Sequence, residues 1–600
     1  MRLKKYISDK DVSSAASDEK FVLDDCVSIA ADIVNYRNCP LKPNQRDGIK
    51  FLYARIFPEG VCDATQSDGA ILAHDMGLGK SRQAVVFINT IVTNEVLNAS
   101  VKKILIVVPV SLLLKWEDEF EKWLPSPLNV EVFGKNSKTK AEKKAVVEAW
   151  KASKTHSILI IGYEMFRQNT DFKLIENADL LVLDEAHRIK NELSIVANVL
   201  QNCDTKKRIL LTGDATDYEQ RVKAQACKEI HQKSASVIHR RTVKILGDDL
   251  PQKKEYIIKG CLQENQVELY KTFLENYAKE IRRSEHQLTR ICAHANVVDS
   301  FIRQQKYNGR DDEFAWYEEW RTKFQGKIQK HDYEAGTKLH LVLEIIRQCE
   351  DDFSKIIIFS SSLDTLAYLE MVLKSLSKSW SDKPDFSWKL GHDYVMIDGS
   401  TAPPKRKLYV DRFNDAENHR LRVMLITKQC GATGLTIIGA NRMVLLEPSW
   451  CHSEDSQAVG RIFRIGQKKD VSVYRFIAAG THEERILESQ IQKESITRSA
   501  VDGTSVATKE LLSLTNDLTY RNVPRRNDIQ TYGDEVLVHL MKKCSELNID
   551  IQNYDEVFEE ENQMDEAFAQ ESQPEKDQEV PQPCIEPQNN KPNFDDEWDL

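Results

Sequence analysis

The sequence predicts an α/β protein: two parallel-sheet lobes joined by a helical connector, with a disordered acidic tail at the C-terminus. Three observations carry this. Short aliphatic runs without polar alternation recur in two separate blocks, as expected of strands buried on both faces. A charged, helix-like stretch separates the blocks. Residues 546–600 hold 18 Asp/Glu against 2 Lys/Arg, with Pro-Gln-Pro punctuation and few aliphatic residues, a composition that cannot bury enough apolar surface to fold.

Taken in order, residues 1–40 read as a polar arm with one short helix. Residues 41–235 form the first lobe, whose expected strands are 69–73, 104–108, 158–161, 180–183 and 208–211, separated by helical text in βαβ fashion. Residues 236–335 read as the connector. Its aromatics Phe314, Trp316, Tyr317 and Trp320 fit helix packing better than a base-stacking platform. Residues 336–500 form the second lobe, with expected strands 355–359, 394–397, 422–426, 442–446 and 471–476. Residues 501–545 read as helices packed behind it.

Composition excludes several classes. The longest apolar runs, such as 104–114, fall short of the ~20 residues a membrane helix needs. The 12 cysteines are scattered without a single Cys-x-x-Cys, which argues against a zinc finger and against a disulfide framework. The chain carries a net charge of −10; the tail accounts for −16, leaving +6 on residues 1–545. A mildly basic body permits nucleic-acid binding without arguing for it.

Three segments carry chemistry. Asp75-Met76-Gly77-Leu78-Gly79-Lys80-Ser81 follows an expected strand and opens an expected helix. Its glycines let successive N–H groups cradle phosphate oxygens, Lys80 reaches the β- and γ-phosphates of ATP, and Ser81 offers a hydroxyl to Mg²⁺. The strict pattern places a glycine where His74 stands. Leu180-Leu-Val-Leu-Asp184-Glu185-Ala-His187 ends a strand in two carboxylates: Asp184 for Mg²⁺, Glu185 to orient and deprotonate the attacking water. Arg461 and Arg464, in Gln457-Ala-Val-Gly-Arg-Ile-Phe-Arg-Ile-Gly-Gln467, share one face if helical, and suit arginine fingers supplied by the other lobe.

In this order the segments resemble the superfamily-2 helicases, and within them the SWI/SNF-type chromatin-remodelling translocases, from about Leu41 to Val501. Gly336-Thr-Lys-Leu339, Asp398-Gly-Ser-Thr401 and Leu288-Thr-Arg-Ile-Cys-Ala-His294 add to the match. Ile71-Leu-Ala-His-Asp-Met76, Phe120-Glu-Lys-Trp123, Ile160-Ile-Gly-Tyr-Glu-Met165 and Val473-Tyr-Arg-Phe476 look most like the ATRX-type subgroup. The resemblance implies two RecA-like lobes, ATP and Mg²⁺ as cofactors, double-stranded DNA as partner, nucleosomes or histones as further partners, and nuclear residence. It places Gln45 and Gln457 at the nucleotide with the 75–81 loop. It places Pro109, Ser111, Gly162, Tyr163, Ser360, Thr427 and Gly431 to Gly434 at the DNA backbone. Neither membrane nor zinc is implied.

Departures from the pattern set a second reading. Relatives read Leu-Thr-Gly-Thr-Pro where this chain has Leu211-Thr-Gly-Asp-Ala-Thr216, and Arg240-Arg-Thr242 follows within a short span. Most of the first lobe's helical protrusion is thus missing. Gly434-Leu435-Thr436 replaces Gly-Ile-Asn, Glu447 replaces an aspartate, and Trp450-Cys-His452 replaces Trp-Asn-Pro. The expectation is an ATP-dependent double-stranded DNA translocase in chromatin remodelling or repair. The alternatives are a degenerate member that binds DNA and ATP without moving, and an RNA-directed helicase, which the Arg-x-x-Arg-x-Gly-Gln ending disfavours.

Overall fold

The computed structural model describes residues 20–24, 27–58, 69–135, 139–169, 172–186, 205–212, 236–241, 250–277, 281–307, 315–324, 328–376, 388–431, 434–502, 518–524 and 530–557. Two strands open it, β1 (Phe21–Val22) and β2 (Ser28–Ile29), paired antiparallel. The described part of the arm therefore carries more secondary structure than its polarity suggests. Val27, Ile29 and Val34 are buried in the first lobe's core, which holds residues 27–41 against that lobe.

The first lobe is a seven-stranded parallel sheet. Its strands are β3 (Ala70–His74), β4 (Lys103–Val108), β5 (Val130–Val132), β6 (Ser157–Gly162), β7 (Leu180–Asp184), β8 (Arg208–Thr212) and β9 (Ile238–Arg241). Their spatial order is β5-β6-β4-β7-β8-β3-β9, every neighbour parallel. Helix α1 (Pro43–Ile56) starts on a proline, whose missing N–H costs nothing in a first turn. Helix α2 (Lys80–Thr93) springs from β3, and α3 (Leu113–Trp123) turns Trp116 and Phe120 inward.

The stretch 236–335, expected to be helical, begins otherwise. Strand β9 closes the edge of the first sheet, and β10 (Lys253–Cys261) belongs to the second. Ile-His-Arg-Arg and a strand flanked by lysines do not read as buried β-text; their pairing partners lie far away in sequence. Four helices follow: α4 (Glu264–Tyr277), α5 (Ile281–Ala293), α6 (Ala295–Tyr307) and α7 (Ala315–Phe324). Trp316, Tyr317 and Trp320 are buried there. Trp316 packs edge-on against Phe273, and Trp320 stacks on Tyr317 and Phe324, which is the packing reading. Phe314 lies outside the described residues.

The second lobe opens with α8 (Thr337–Asp351). Its sheet adds to β10 the strands β11 (Ile356–Ser360), β12 (Tyr394–Ile397), β13 (Val423–Thr427), β14 (Arg442–Leu445), β15 (Val471–Ala479) and β16 (Ile549–Asn553). The order is β12-β13-β11-β14-β15-β10-β16, parallel except for β16. Helix α9 (His452–Val459) lies between β14 and β15 in sequence, and α10 (Glu535–Lys543) precedes β16.

Strand β16 corrects the tail boundary, because residues 549–553 pair with β10 and bury Ile549 and Ile551. Two apolar residues alternating with polar ones made a one-sided strand that the acidic average concealed. Residues 558–600, the rest of the expected disordered tail, lie outside the described residues, as do most of 501–529.

Candidate active site between the two lobes

The phosphate loop lies where β3 ends and α2 begins. Gly77 and Gly79 both take positive φ, 86° and 80°, a region that L side chains enter only at a cost. Gly79 is the N-cap of α2, with a left-handed backbone that turns the chain into the helix. Lys80 donates to the carbonyls of His74 (2.6 Å) and Asp75 (3.4 Å). Burial lowers its pKa, while Glu185, Asp184 and Asp75 oppose that shift. From α1, Gln45 donates to Leu78 O (3.3 Å), so the loop is joined to the glutamine expected at the nucleotide.

The acidic pair sits at the end of β7, with β8 between it and β3. Asp184 is buried, and three groups fix it. Trp116 Nε1 donates to its Oδ2 over 2.7 Å, the Glu185 N–H donates to Oδ1 over 3.0 Å, and the Tyr163 hydroxyl donates to its carbonyl over 2.8 Å. Burial and the neighbouring Glu185 push the Asp184 pKa up to about 6, against the pull of Trp116 and Lys80. Glu185 holds φ at 49°, a conformation that costs a non-glycine residue about 1–3 kcal/mol and gathers at functional sites.

The arginines come from the second lobe, but not from a helix. Helix α9 ends at Val459, and Arg461 and Arg464 sit in the turns after it, because Gly460 caps the helix and Gln467 ties the turn to Ile438, Ala440 and Ile462 carbonyls. Gly77 is so near that a Cβ on it would lie 3.3 Å from Arg464 Cβ, and one on Gly460 would lie 3.0 Å from Met76 Cβ. Burial lowers Arg461 to about 10, with Arg464 adding to the shift and Glu185 opposing it. Gln457 lies half-buried on α9, one turn before Arg461. Ser81 is half-buried in the first turn of α2.

Lys80, Arg461 and Arg464 thus converge with Lys115, which burial and both arginines lower to about 8. Cations so gathered in a partly buried cleft, beside a glycine cradle, fit a polyanion such as a triphosphate. Ser81 and Asp184 offer the hard oxygens Mg²⁺ prefers.

Residues 44–217 match the SNF2-related domain, and residues 337–466 match the helicase conserved C-terminal domain. The chain belongs to the SNF2 family of helicase-like ATPases. It is 26% identical to the transcriptional regulator ATRX homolog of Caenorhabditis elegans, covering 86% of this chain and 53% of that protein. It is 28% identical to protein CHROMATIN REMODELING 20 of Arabidopsis thaliana (77% and 38% covered). It is also 28% identical to a DNA repair and recombination protein RAD54-like of Drosophila pseudoobscura pseudoobscura (78% and 64%). The chain spans between 38% and 64% of the length of these relatives. A SWI2/SNF2 ATPase core of Sulfolobus solfataricus in complex with dsDNA covers 81% of this chain and 98% of its own at 20% identity, with a TM-score of 0.31.

The segments assigned to DNA in this SNF2 chain lie at strand ends. Val108 and Gly162 are register partners on β4 and β6, which brings Pro109 and Ser111 beside Gly162 and Tyr163. Ser111 is exposed, whereas Tyr163 is buried. In the second lobe Ser360 and Thr427 are register partners. Ser360 is fully buried and donates to Glu447 Oε1 over 2.8 Å, so the glutamate that replaces an aspartate holds this segment. Gly431 packs against Phe359, and Gly434 against Leu112 of the first lobe.

Three site residues gave no sequence signal, Lys115, Trp116 and His239, and Arg240 reads only as the start of Arg240-Arg-Thr242. Trp116 reads as an ordinary core aromatic on an amphipathic helix. His74 Nε2 lies 2.7 Å from His239 Nδ1 on the neighbouring strand, and Arg240 pairs with Asp75 at 3.4 Å. All arise from pairing of β9 with β3 or packing of α3 on β7. The shortened text 213–216 lies outside the described residues.

Proposed function

We propose that the chain is an ATP-dependent double-stranded DNA translocase that couples hydrolysis to movement along DNA in chromatin remodelling or DNA repair, in the nucleus. The observation that supports this most is the meeting of Lys80, Asp184 and Glu185 from one lobe with Arg461 and Arg464 from the other. A site split between two lobes completes itself only on closure, which is how a chemical step becomes a movement.

In this reading Lys80, the 75–81 loop, Gln45 and Gln457 bind ATP. Ser81 and Asp184 hold Mg²⁺. Glu185 orients water and takes its proton. Arg461 and Arg464 stabilise charge on the transferring phosphoryl group. Bound Mg²⁺ supplies charge neutralisation at the phosphates. The segments that hold Pro109, Ser111, Gly162, Tyr163, Ser360, Thr427, Gly431 and Gly434 line the DNA path, Tyr163 and Ser360 supporting it from buried positions, and contacts to the DNA backbone suit a motor that ignores sequence. Nucleosomes or histones are the further partners the ATRX-type likeness suggests.

The test is the ATPase rate with and without duplex DNA, for the wild type beside Lys80→Ala. Stimulation by duplex, lost in Lys80→Ala, supports the assignment; equal rates in both proteins sink it, and stimulation by RNA alone transfers it to the RNA-directed alternative. The second reading, binding without movement, is favoured by Leu211-Thr-Gly-Asp-Ala-Thr216. Duplex-stimulated hydrolysis without triplex displacement would establish it.

A further inference from the structure

Helix α3 touches both halves of the site. Its N-terminal approach, Val110–Leu112, follows the strand end where Pro109 and Ser111 lie. Trp116 reaches the Asp184 carboxylate. Lys115, its neighbour, crosses to the second lobe and donates to Gly434 O over 3.3 Å. Gly434 needs its left-handed φ of 75° and its missing side chain for this approach: a Cβ there would lie 2.5 Å from Leu112 Cδ2 and 3.5 Å from Lys115 Nζ. Consecutive residues of one helix therefore grip the first lobe's acidic pair and the second lobe's Gly434 loop.

We propose that Lys115 is the positioning residue that ties lobe closure to the occupancy of the nucleotide cleft, its ammonium latching helix α3 onto the Gly434 carbonyl. The proposal rests on the reading of the cleft as a nucleotide site. Arg464 and Arg461 repel the Lys115 ammonium, while Glu119 and Asp184 attract it. Anionic charge entering between the arginines relieves that repulsion, so the latch tightens when phosphate is bound and weakens when it leaves. Because α3 also carries the Trp116 contact, the same helix transmits the change to Asp184. This route runs through α3, apart from the text Leu211-Thr-Gly-Asp-Ala-Thr216 on which the reading of binding without movement rests.

Lys115→Met keeps the stem and removes the charge and donor; Lys115→Arg keeps both. Dyes on the exposed positions Lys140 and Lys407 report the distance between lobes by single-molecule FRET, with and without a non-hydrolysable ATP analogue. The expected result is a loss of the nucleotide-induced gain in the closed population in Lys115→Met and its return in Lys115→Arg. Analogue affinity should fall together with the closed population in Lys115→Met, by about tenfold, the size of an ordinary allosteric coupling, because closure and nucleotide binding favour each other reciprocally, and both should return in Lys115→Arg. Unchanged FRET in Lys115→Met would overturn the latch. Should Lys115→Met fail to fold, Lys115→Gln carries the same readout. A wild type that closes on the analogue but hydrolyses no ATP would refute the proposed activity and leave the latch to stand or fall on FRET alone.

Discussion

Trp116 donates its indole N–H to Asp184 Oδ2 at 2.7 Å, both groups buried, and with the Glu185 N–H on Oδ1 this bond holds the carboxylate that the proposed mechanism assigns to Mg²⁺. Trp116→Phe keeps the ring and removes the donor. A lost hydrogen bond to a charged group costs about 1.5–3 kcal/mol, so hydrolysis should fall by roughly tenfold or more, with Mg²⁺ half-saturation moving to higher concentration. Titrating Mg²⁺ in the ATPase assay checks this; an unchanged Mg²⁺ dependence refutes it.

Asp184 itself should be a stability burden. Its folded pKa is raised to about 6 by burial and by Glu185. A raised carboxyl pKa favours the folded state at low pH, and that advantage is lost as pH rises through about 6. Asp184→Asn should therefore abolish hydrolysis and yet raise the nucleotide-free melting temperature, by more at pH 8 than at pH 5. Melting curves at the two pH values decide it.

The histidine pair gives the opposite slope. Burial lowers His74 to about 2 and His239 to about 4, with the His239 and Lys80 charges adding to the shift at His74. Depressed imidazole pKa values contribute stability above about 6.5, and that stability is lost as pH falls through the folded values. Unfolding midpoints should drop between pH 7 and pH 5. In a His74→Gln, His239→Gln double variant this part of the slope should vanish, and a wild-type midpoint independent of pH would contradict it.

Gly79→Ala places a side chain at φ 80°, with its Cβ 2.4 Å from Gln45 Nε2. The left-handed backbone costs about 1–2 kcal/mol, and Gln45 must leave Leu78 O. Nucleotide affinity should fall by about tenfold with little change in duplex affinity measured without nucleotide. A fluorescent ADP titration reads the first, and anisotropy of labelled duplex the second.

Truncation separates the two parts of the acidic C-terminus. Ending the chain after residue 557 should leave the melting temperature unchanged. Ending it after residue 530 removes α10 and β16, whose Val536, Leu537, Leu540, Ile549 and Ile551 are buried, at about 1.5–3 kcal/mol for each large side chain. The second lobe should then melt well below the first in calorimetry; equal melting of both truncations would show that β16 is dispensable.

The candidate phosphate loop and acidic pair were legible in the linear text because their placement is local. A glycine turn between strand and helix, and carboxylates at a strand end, are set by residues adjacent in sequence, and the expected strands 394–397 and 180–183 lie on β12 and β7 almost to the residue. What required the fold were relationships across sequence. Strand β9 and strand β10 carry too many charges to announce themselves, and acquire their identity from β3 and β15, which supply the hydrogen bonds. The expected arginine helix gave way to turns because Gln467 binds three carbonyls that lie beside it only in the folded lobe. Lys115 and Trp116 look like the surface and the core of one amphipathic helix. Only the packing of α3 between β7 and the Gly434 loop turns the first toward one lobe and the second toward the other. Sequence determined which reactive groups the candidate site could draw on, since side-chain chemistry and backbone propensities are local; tertiary structure decided which groups meet, since burial and pairing join residues that the chain itself keeps far apart.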